Sequence, residues 1–206
     1  MDLHDQVAEY EEALWDSPAW DYLRFREIDQ DTVRGWRLGY VARPAHPSHR
    51  RFVGRLAIPY IDGADGVTTI RFRSLDPEGD PGDRYRSVGK DVPRLFGIRY
   101  SDYPGVFIAE GEVDVLTLWQ MGFKACGVPG AGMWRRHWRY LFRGGDVNLI
   151  LDPDPAGMLA TNKIRLDLEK IGVPVGLVKM PADVNDTYCD WGHAQLREYL
   201  QQAVAA

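Results

Sequence analysis

The chain has 206 residues, 45% of them apolar, with 30 acidic side chains against 25 basic ones and a formal net charge of −5. That length suits one large or two small packed domains, and no apolar run approaches the roughly 18–20 residues of a membrane span. The polar start (Met1-Asp2-Leu3-His4-Asp5) argues against a secretory leader, and Cys126 and Cys189, 63 positions apart, offer neither a disulfide framework nor a cysteine zinc site.

The expected compartment is therefore a reducing cytoplasm. Charge is unevenly spread: residues 1–33 carry net −8, residues 34–99 net +6 and residues 100–206 net −3. A basic middle suits contact with a polyanion, and an unevenly solvated surface suits it equally well. Arg outnumbers Lys by 20 to 5, a compositional sign of a GC-rich coding genome.

The first 40 residues read as helical. Residues 8–15 place Tyr10, Ala13 and Leu14 at helical spacing. Ser17-Pro18 reads as an N-cap and first helical position, followed by a buried stripe of Trp20, Leu23 and Phe25. A short helix over 31–36 ends near Gly39, and 42–51 is a loop with two prolines and three arginines. Residues 56–61 and 67–73 then form a hairpin around the Asp- and Gly-rich turn 62–66. Alternation puts Arg71 and Arg73 on one face and Ile70 and Phe72 on the other. After an exposed acidic loop at 76–83, Arg84 and Arg86 flank Tyr85 in extended chain.

From residue 104 the rhythm becomes strand and helix by turns: strands at 106–109, 123–128, 147–151 and 173–178, helices at 113–121, 133–143 and up to Ile171. Such alternation predicts a small parallel sheet with helices on both sides. Trp134 and Trp138, four apart, read as core, while Arg135, Arg136 and Arg139 beside them leave open a surface for single-stranded nucleic acid. Cys126 reads as an inert core thiol, and His46, His49, His137 and His193 have no metal spacing.

Chemistry is expected where parallel strands end. Glu110 follows the first strand, and Asp152 and Asp154 follow the third, separated by Pro153. Asp154 suits a helix N-cap and Pro155 the first helical position. Each acid alone has an ordinary explanation as a cap or a solvated strand end. Three at one sheet edge repel one another unless a cation lies among them, and oxygen donors without Cys or His favour Mg²⁺ or Mn²⁺ over Zn²⁺.

Glu110-Gly111-Glu112-Val113-Asp114-Val115, Gly127-Val128-Pro129-Gly130-Ala131 and Asp152-Pro153-Asp154-Pro155-Ala156-Gly157 resemble the Toprim domain, a fold shared by bacterial-type primases, topoisomerases, some nucleases and recombination mediators. Upstream, Trp20-Asp21-Tyr22-Leu23, Arg55-Leu56-Ala57-Ile58-Pro59-Tyr60, Ile70-Arg71-Phe72-Arg73, Arg84-Tyr85 with Ser87, and Arg94-Leu95-Phe96-Gly97 resemble the polymerase region of bacterial and phage primases. The likeness runs over roughly residues 15–190.

The resemblance implies an α/β fold, a Toprim-type small parallel sheet flanked by helices and preceded by an α+β subdomain with a basic β-hairpin. Its expected divisions are residues 1–102, a Toprim catalytic domain at 103–192 and a C-terminal helix at 193–206. It implies template-directed synthesis of short RNA primers on single-stranded DNA. Glu110, Asp152 and Asp154 would serve catalysis and hold Mg²⁺ or Mn²⁺, with no zinc. Asp114, Asp183, Asn185 and Asp186 would support them. Arg55, Arg71, Arg73, Arg84 and Arg86 would contact nucleic acid or nucleotide phosphates.

Implied partners are the template strand, ribonucleoside triphosphates, and a replicative helicase or separate template-recognition protein, with no membrane. A phage origin would place the protein in the bacterial host's cytoplasm. Departures from the family pattern are Pro153 in place of the usual glycine, Arg84 in place of lysine, and no recognisable zinc-binding or helicase-binding module. A Toprim nuclease and a non-catalytic single-strand-binding module remain the alternative readings.

Overall fold

Each of the first three helices is started by a side chain lying just ahead of it. In the computed structural model, which describes residues 2–62, 66–89 and 92–205, α1 (Leu3–Glu12) is capped by Asp2, whose carboxylate accepts from the Asp5 N–H at 2.9 Å. Helix α2 (Pro18–Phe25) is capped by Ser17 and α3 (Gln30–Gly35) by Asp29. The first helix begins five residues earlier than expected because Asp2 supplies a cap. Leu23 is fully buried, but Phe25 lies at the last turn of α2 and is 79% exposed, so it does not continue the apolar stripe.

The chain forms two compact units, Met1–Val92 and Pro93–Ala206. In the first, β1 (Gly39–Tyr40), β2 (Leu56–Ile61), β3 (Val67–Arg73) and β4 (Tyr85–Arg86) make an antiparallel sheet in that order. The hairpin β2–β3 is the one expected; residues 63–65 of its turn lie outside the described residues. Strand β1 was not expected. It packs so closely on α1 that a Cβ on Gly39 would lie 2.5 Å from the backbone carbon of Tyr10.

Val7 and Tyr10 of α1 meet Ala57, Ile70 and Phe72 on one sheet face, with Phe52 stacked on Phe72 at 4.1 Å. Phe52 arrives on a 3₁₀ turn, Pro47–Phe52, inside what reads as a loop. That turn also buries His49, whose Nδ1 lies 2.8 Å from the Tyr10 hydroxyl. Burial holds the His49 imidazole down at about 4.

The second unit carries a parallel sheet in the order β6-β5-β7-β8: β5 (Val106–Ala109), β6 (Ala125–Gly127), β7 (Val147–Ile150) and β8 (Val175–Leu177). Helix α4 (Glu112–Gln120) joins β5 to β6, and α5 (Pro155–Glu169) joins β7 to β8. Val106, Ile108, Val147 and Leu149 of the sheet pack with Ala160, Ile164 and Leu168 of α5 and with Trp134, Trp138 and Phe142. Both tryptophans are thus core.

The helix expected at 133–143 is instead two 3₁₀ pieces, Ala131–Met133 and Arg136–Phe142. Trp134 and Arg135 are extended between them, which lets the Trp134 and Trp138 rings meet edge-on at 5.7 Å. The final helix α6 (Val184–Ala205) is two pieces meeting at Gly192, where φ is 77°. Cys126 is fully buried, with its thiol on the Gly97 carbonyl at 3.2 Å and its pKa pushed well up by burial. Among the described residues no helix is long and apolar enough to cross a membrane.

Candidate active site

The chain leaves β5 for β6 on one side and then returns past β5 to β7 on the other. Strand order reverses at that point, and in open α/β sheets ligands usually bind in the crevice outside the carboxyl ends of the strands flanking such a reversal, here β5 and β7. Glu110 directly follows β5, and Asp152 and Asp154 follow β7.

Glu110 Oε1 accepts from the Ala131 N–H at 3.2 Å, while Oε2 is buried without a hydrogen-bond partner. Burial, and then the charges of Asp152 and Asp154, push its pKa up to about 7, against the lowering pull of the Ala131 N–H. Asp152 is pushed up to about 6 by burial, then by Asp183, Asp154 and Asp186. Five carboxylates therefore share one field.

Local geometry explains the spacing in Asp152-Pro153-Asp154-Pro155-Ala156-Gly157. Asp154 caps α5, its Oδ1 accepting from the Gly157 N–H at 2.7 Å, and Pro155 occupies the first turn. A Cβ at position 157 would sit 2.2 Å from the Asp152 carbonyl oxygen, so the turn closes only on glycine. Gly111 has an ordinary extended φ of −141°, so the exit from β5 does not itself need glycine. A Cβ there would instead approach Asp114 Oδ2 to 3.1 Å.

Among the described residues, no three of His, Cys, Asp and Glu form a ready metal cage. The carboxylates thus share a field rather than a closed ligand shell. The orphaned Glu110 oxygen and the two raised pKa values still fit a hard cation. Mg²⁺ commonly takes one or two carboxylates and completes its shell with water and substrate phosphates.

Asp114 and Asn185 link α4 to α6. The Asn185 N–H donates to Asp114 Oδ1 at 3.1 Å, and the Asn185 amide donates to Thr117 Oγ1 at 2.8 Å. Both residues are buried. Asp183 accepts from the Asp186 N–H at 2.6 Å and so starts α6. Asp183 and Asp186 thereby face Asp152, while Asp114 and Asn185 anchor the segment that carries them. Thr117 carries no signal of its own in the sequence, although its place three residues after Asp114 puts both on one helix face.

In the first unit, strand register divides the arginines. Arg73 opposes Leu56 and Arg71 opposes Ile58, so both share a face with Tyr60 and Tyr85. Arg71 donates to the Tyr60 hydroxyl at 3.3 Å and lies 4.8 Å over the Tyr85 ring. Arg73 lies 4.8 Å over Tyr22 and also donates to the Tyr85 hydroxyl. Arg86 opposes Phe72 on the other face, where its guanidinium meets Asp83 at 2.7 Å. Arg55 pairs with the same Asp83 and donates to its backbone carbonyl at 2.8 Å. Arg84 is exposed. The five expected phosphate-binding arginines therefore split into an arginine–tyrosine stack, a pair gathered by Asp83, and one solvated side chain.

Residues 107–188 match the Toprim-like family. The zinc-binding and RNA polymerase domains of Aquifex aeolicus primase superpose with a TM-score of 0.77 at 23% identity, over 97% of this chain and 59% of that one. The RNA polymerase domain of Mycobacterium tuberculosis primase gives 0.75 at 21%, over 96% of this chain and 81% of that one. The chain thus spans under two thirds of the Aquifex structure, and these likenesses establish the primase-core fold. A DnaG primase catalytic domain bound to single-stranded DNA superposes at 0.76 with 18% identity, over 97% of this chain and 77% of that one.

The Gene 57 protein of Mycobacterium phage D29 is 36% identical over 158 residues, 71% of this chain and 98% of that protein. The chain belongs to the Gene 57 family. This chain combines a Toprim-like domain with the fold of a primase catalytic core.

Proposed function

We propose that this Gene 57 family protein is a DNA primase that makes short RNA primers on single-stranded DNA during phage DNA replication, in the cytoplasm of the bacterial host. The observation that carries the reading is the group of carboxylates at the carboxyl ends of β5 and β7, where the charge of Asp152 bears on Glu110, on a primase-core fold. Glu110, Asp152 and Asp154 would hold Mg²⁺ or Mn²⁺. When bound, such an ion orients triphosphate oxygens and offsets the charge that develops during phosphoryl transfer.

The chain's own residues supply the rest. Glu110 Oε2, buried without a hydrogen-bond partner, would turn to the cation, while the Ala131 N–H holds Oε1 and so orients the carboxylate. Asp154 holds the turn after β7 rigid by capping α5, which fixes Asp152 beside it. Asp114 and Asn185 set the position of Asp183 and Asp186. Arg71 and Arg73 would contact template or nucleotide phosphates, with Tyr85 and Tyr22 orienting their planes. Arg84 would add an exposed charge, while Arg55 and Arg86 would reach a phosphate only by leaving Asp83.

A replicative helicase or a separate template-recognition protein is the proposed partner. Tethering raises effective template concentration, an effect on the order of 10²–10⁴-fold. The test supplies labelled ribonucleotides, single-stranded DNA and Mg²⁺ or Mn²⁺, and looks for short RNA. Hydrolysis of the DNA without nucleotide would instead identify a Toprim nuclease, and strand binding without turnover a non-catalytic module.

A further inference from the structure

From Val115 to Gly145 the chain contains five cations, Lys124, Arg135, Arg136, Arg139 and Arg143, and no acid, within a protein of net charge −5. The Arg136–Phe142 segment sorts its side chains sharply. Trp138 and Phe142 enter the core with Trp134, leaving Arg135, Arg136, His137, Tyr140 and Arg143 exposed. Tyr140 is 47% exposed and has two guanidiniums over its ring, Arg139 at 4.7 Å and Arg143 at 4.5 Å. Arg139 also donates to the Tyr140 hydroxyl at 2.7 Å.

One carboxylate answers this charge: Arg136 lies 3.7 Å from Asp167. Among the described residues, Arg135, Arg139 and Arg143 have no acid within ion-pair distance. The local potential is strong enough to pull the exposed Tyr140 phenol below its ordinary range, through the Arg139 hydrogen bond first and then the charges of Arg139, Arg143 and Arg136.

We infer that this surface of the Toprim-like unit, built on Arg135, Arg139, Tyr140 and Arg143, is a binding site for single-stranded nucleic acid, separate from the arginine–tyrosine stack of the first unit. Three guanidiniums without a carboxylate partner suit successive phosphates, and planar Arg and Tyr groups in contact suit unstacked bases. The buried tryptophans take no part. The segment also begins beside the crevice, because Ala131, four residues before Arg135, donates its N–H to Glu110. A strand lying along the segment would therefore be led toward the carboxylates. Only that last step rests on the primase reading; binding itself needs neither metal nor turnover.

The test is fluorescence anisotropy of labelled oligo(dT) with the full chain in EDTA, titrated over a range of salt. In Arg139→Gln/Arg143→Gln, two phosphates no longer neutralised should make the log–log salt slope shallower by about 1.4, at roughly 0.7 per phosphate on a single strand. Arg139→Lys/Arg143→Lys should retain most of the slope. Tyr140→Ala should weaken binding by about 5-fold or more, and Tyr140→Phe much less. An unchanged melting temperature in each variant shows that the fold is intact, since these side chains are largely outside the core.

Parent-like slope and affinity in the Gln/Gln variant would overturn the inference. So would inorganic polyphosphate competing as well as oligo(dT), because bases would then contribute nothing. Loss of oligoglutamate binding, with oligo(dT) binding intact, would make the patch an acidic-protein surface and overturn it too. A failure to synthesise primers would leave all these readouts in place and would count against the primase reading alone.

Discussion

The carboxylate of Asp114 accepts a hydrogen bond from the backbone N–H of Asn185, 71 positions further along the chain and 3.1 Å away. This bond fixes the start of α6 against α4, with Thr117 accepting from the Asn185 amide beside it. Because Asp183 and Asp186 sit at that start and raise the Asp152 pKa, the bond helps set the electrostatics around Asp152.

Removing the anchor should therefore lower both stability and turnover. Asp114→Ala leaves a buried N–H unsatisfied and should cost about 1–3 kcal/mol in urea denaturation. Asp114→Asn retains an acceptor oxygen and should lose less. If Asp114→Ala keeps both parent stability and parent primer yield, the anchoring role is wrong.

The crevice carboxylates should make metal-free stability fall as pH rises. Glu110 and Asp152 have folded pKa values of about 7 and about 6, above their ordinary 4.5 and 3.8. Between those limits the folded state holds more protons than the unfolded chain, so their contribution is full below about pH 4 and lost by about pH 7. Melting curves in EDTA should show that loss, and Mg²⁺ should offset it at pH 8 by binding the folded state preferentially. Glu110→Gln/Asp152→Asn should flatten the profile and remove the Mg²⁺ shift. A Mg²⁺ shift that survives in the double variant would place the cation elsewhere.

The opposite sign applies to His49. Its folded pKa of about 4 lies below the ordinary 6.5, so its contribution is present above pH 6.5 and is lost as pH falls toward 4. The size should be on the order of 2–3 kcal/mol, from roughly 1.4 kcal/mol per pKa unit. His49→Phe should remove this acid sensitivity, measured by denaturation at pH 7 and pH 4.5. Parent-like acid sensitivity in that variant would contradict a neutral buried imidazole.

Arginines on the two faces of the first sheet should behave differently. Arg71→Ala/Arg73→Ala should weaken single-strand binding and make its salt slope shallower, by about 0.7 for each phosphate that is no longer neutralised. Arg55→Ala should act chiefly on stability, because Arg55 is partly buried against Asp83. Equal salt slopes in the parent and the Arg71/Arg73 variant would remove the stack from the nucleic-acid path.

Much of what could be read from sequence was set by near neighbours in the chain. The Asp2 cap of α1 and the extended break at Trp134 and Arg135 are equally local but were not legible, while contacts between distant residues left no signal. Glu110 and Asp152 at strand ends, Asp154 with Pro155 as a helix start, and the alternation of Arg71 with Phe72 all depend on spacings of a few residues. The Asp114–Asn185 bond crosses 71 positions and carries no local signal. Capture of Arg55 by Asp83 spans 28 positions and left no signal, whereas Arg86 lies three residues from Asp83 and its pairing is local. His49 reads as a loop residue because its burial comes from Tyr10, Phe52 and Phe72, all brought there by folding.

The most direct measurement is primer synthesis by the purified chain on single-stranded DNA, with labelled ribonucleotides and Mg²⁺ or Mn²⁺, for the parent and for Asp154→Asn, Asp152→Asn and Glu110→Gln. Asparagine caps a helix as well as aspartate does, so Asp154→Asn changes charge while sparing the start of α5. Short, template-dependent RNA is expected from the parent and none from the three variants, all folded by melting curve. Parent-level RNA from all three variants, or hydrolysis of the DNA in place of synthesis, would contradict the primase reading.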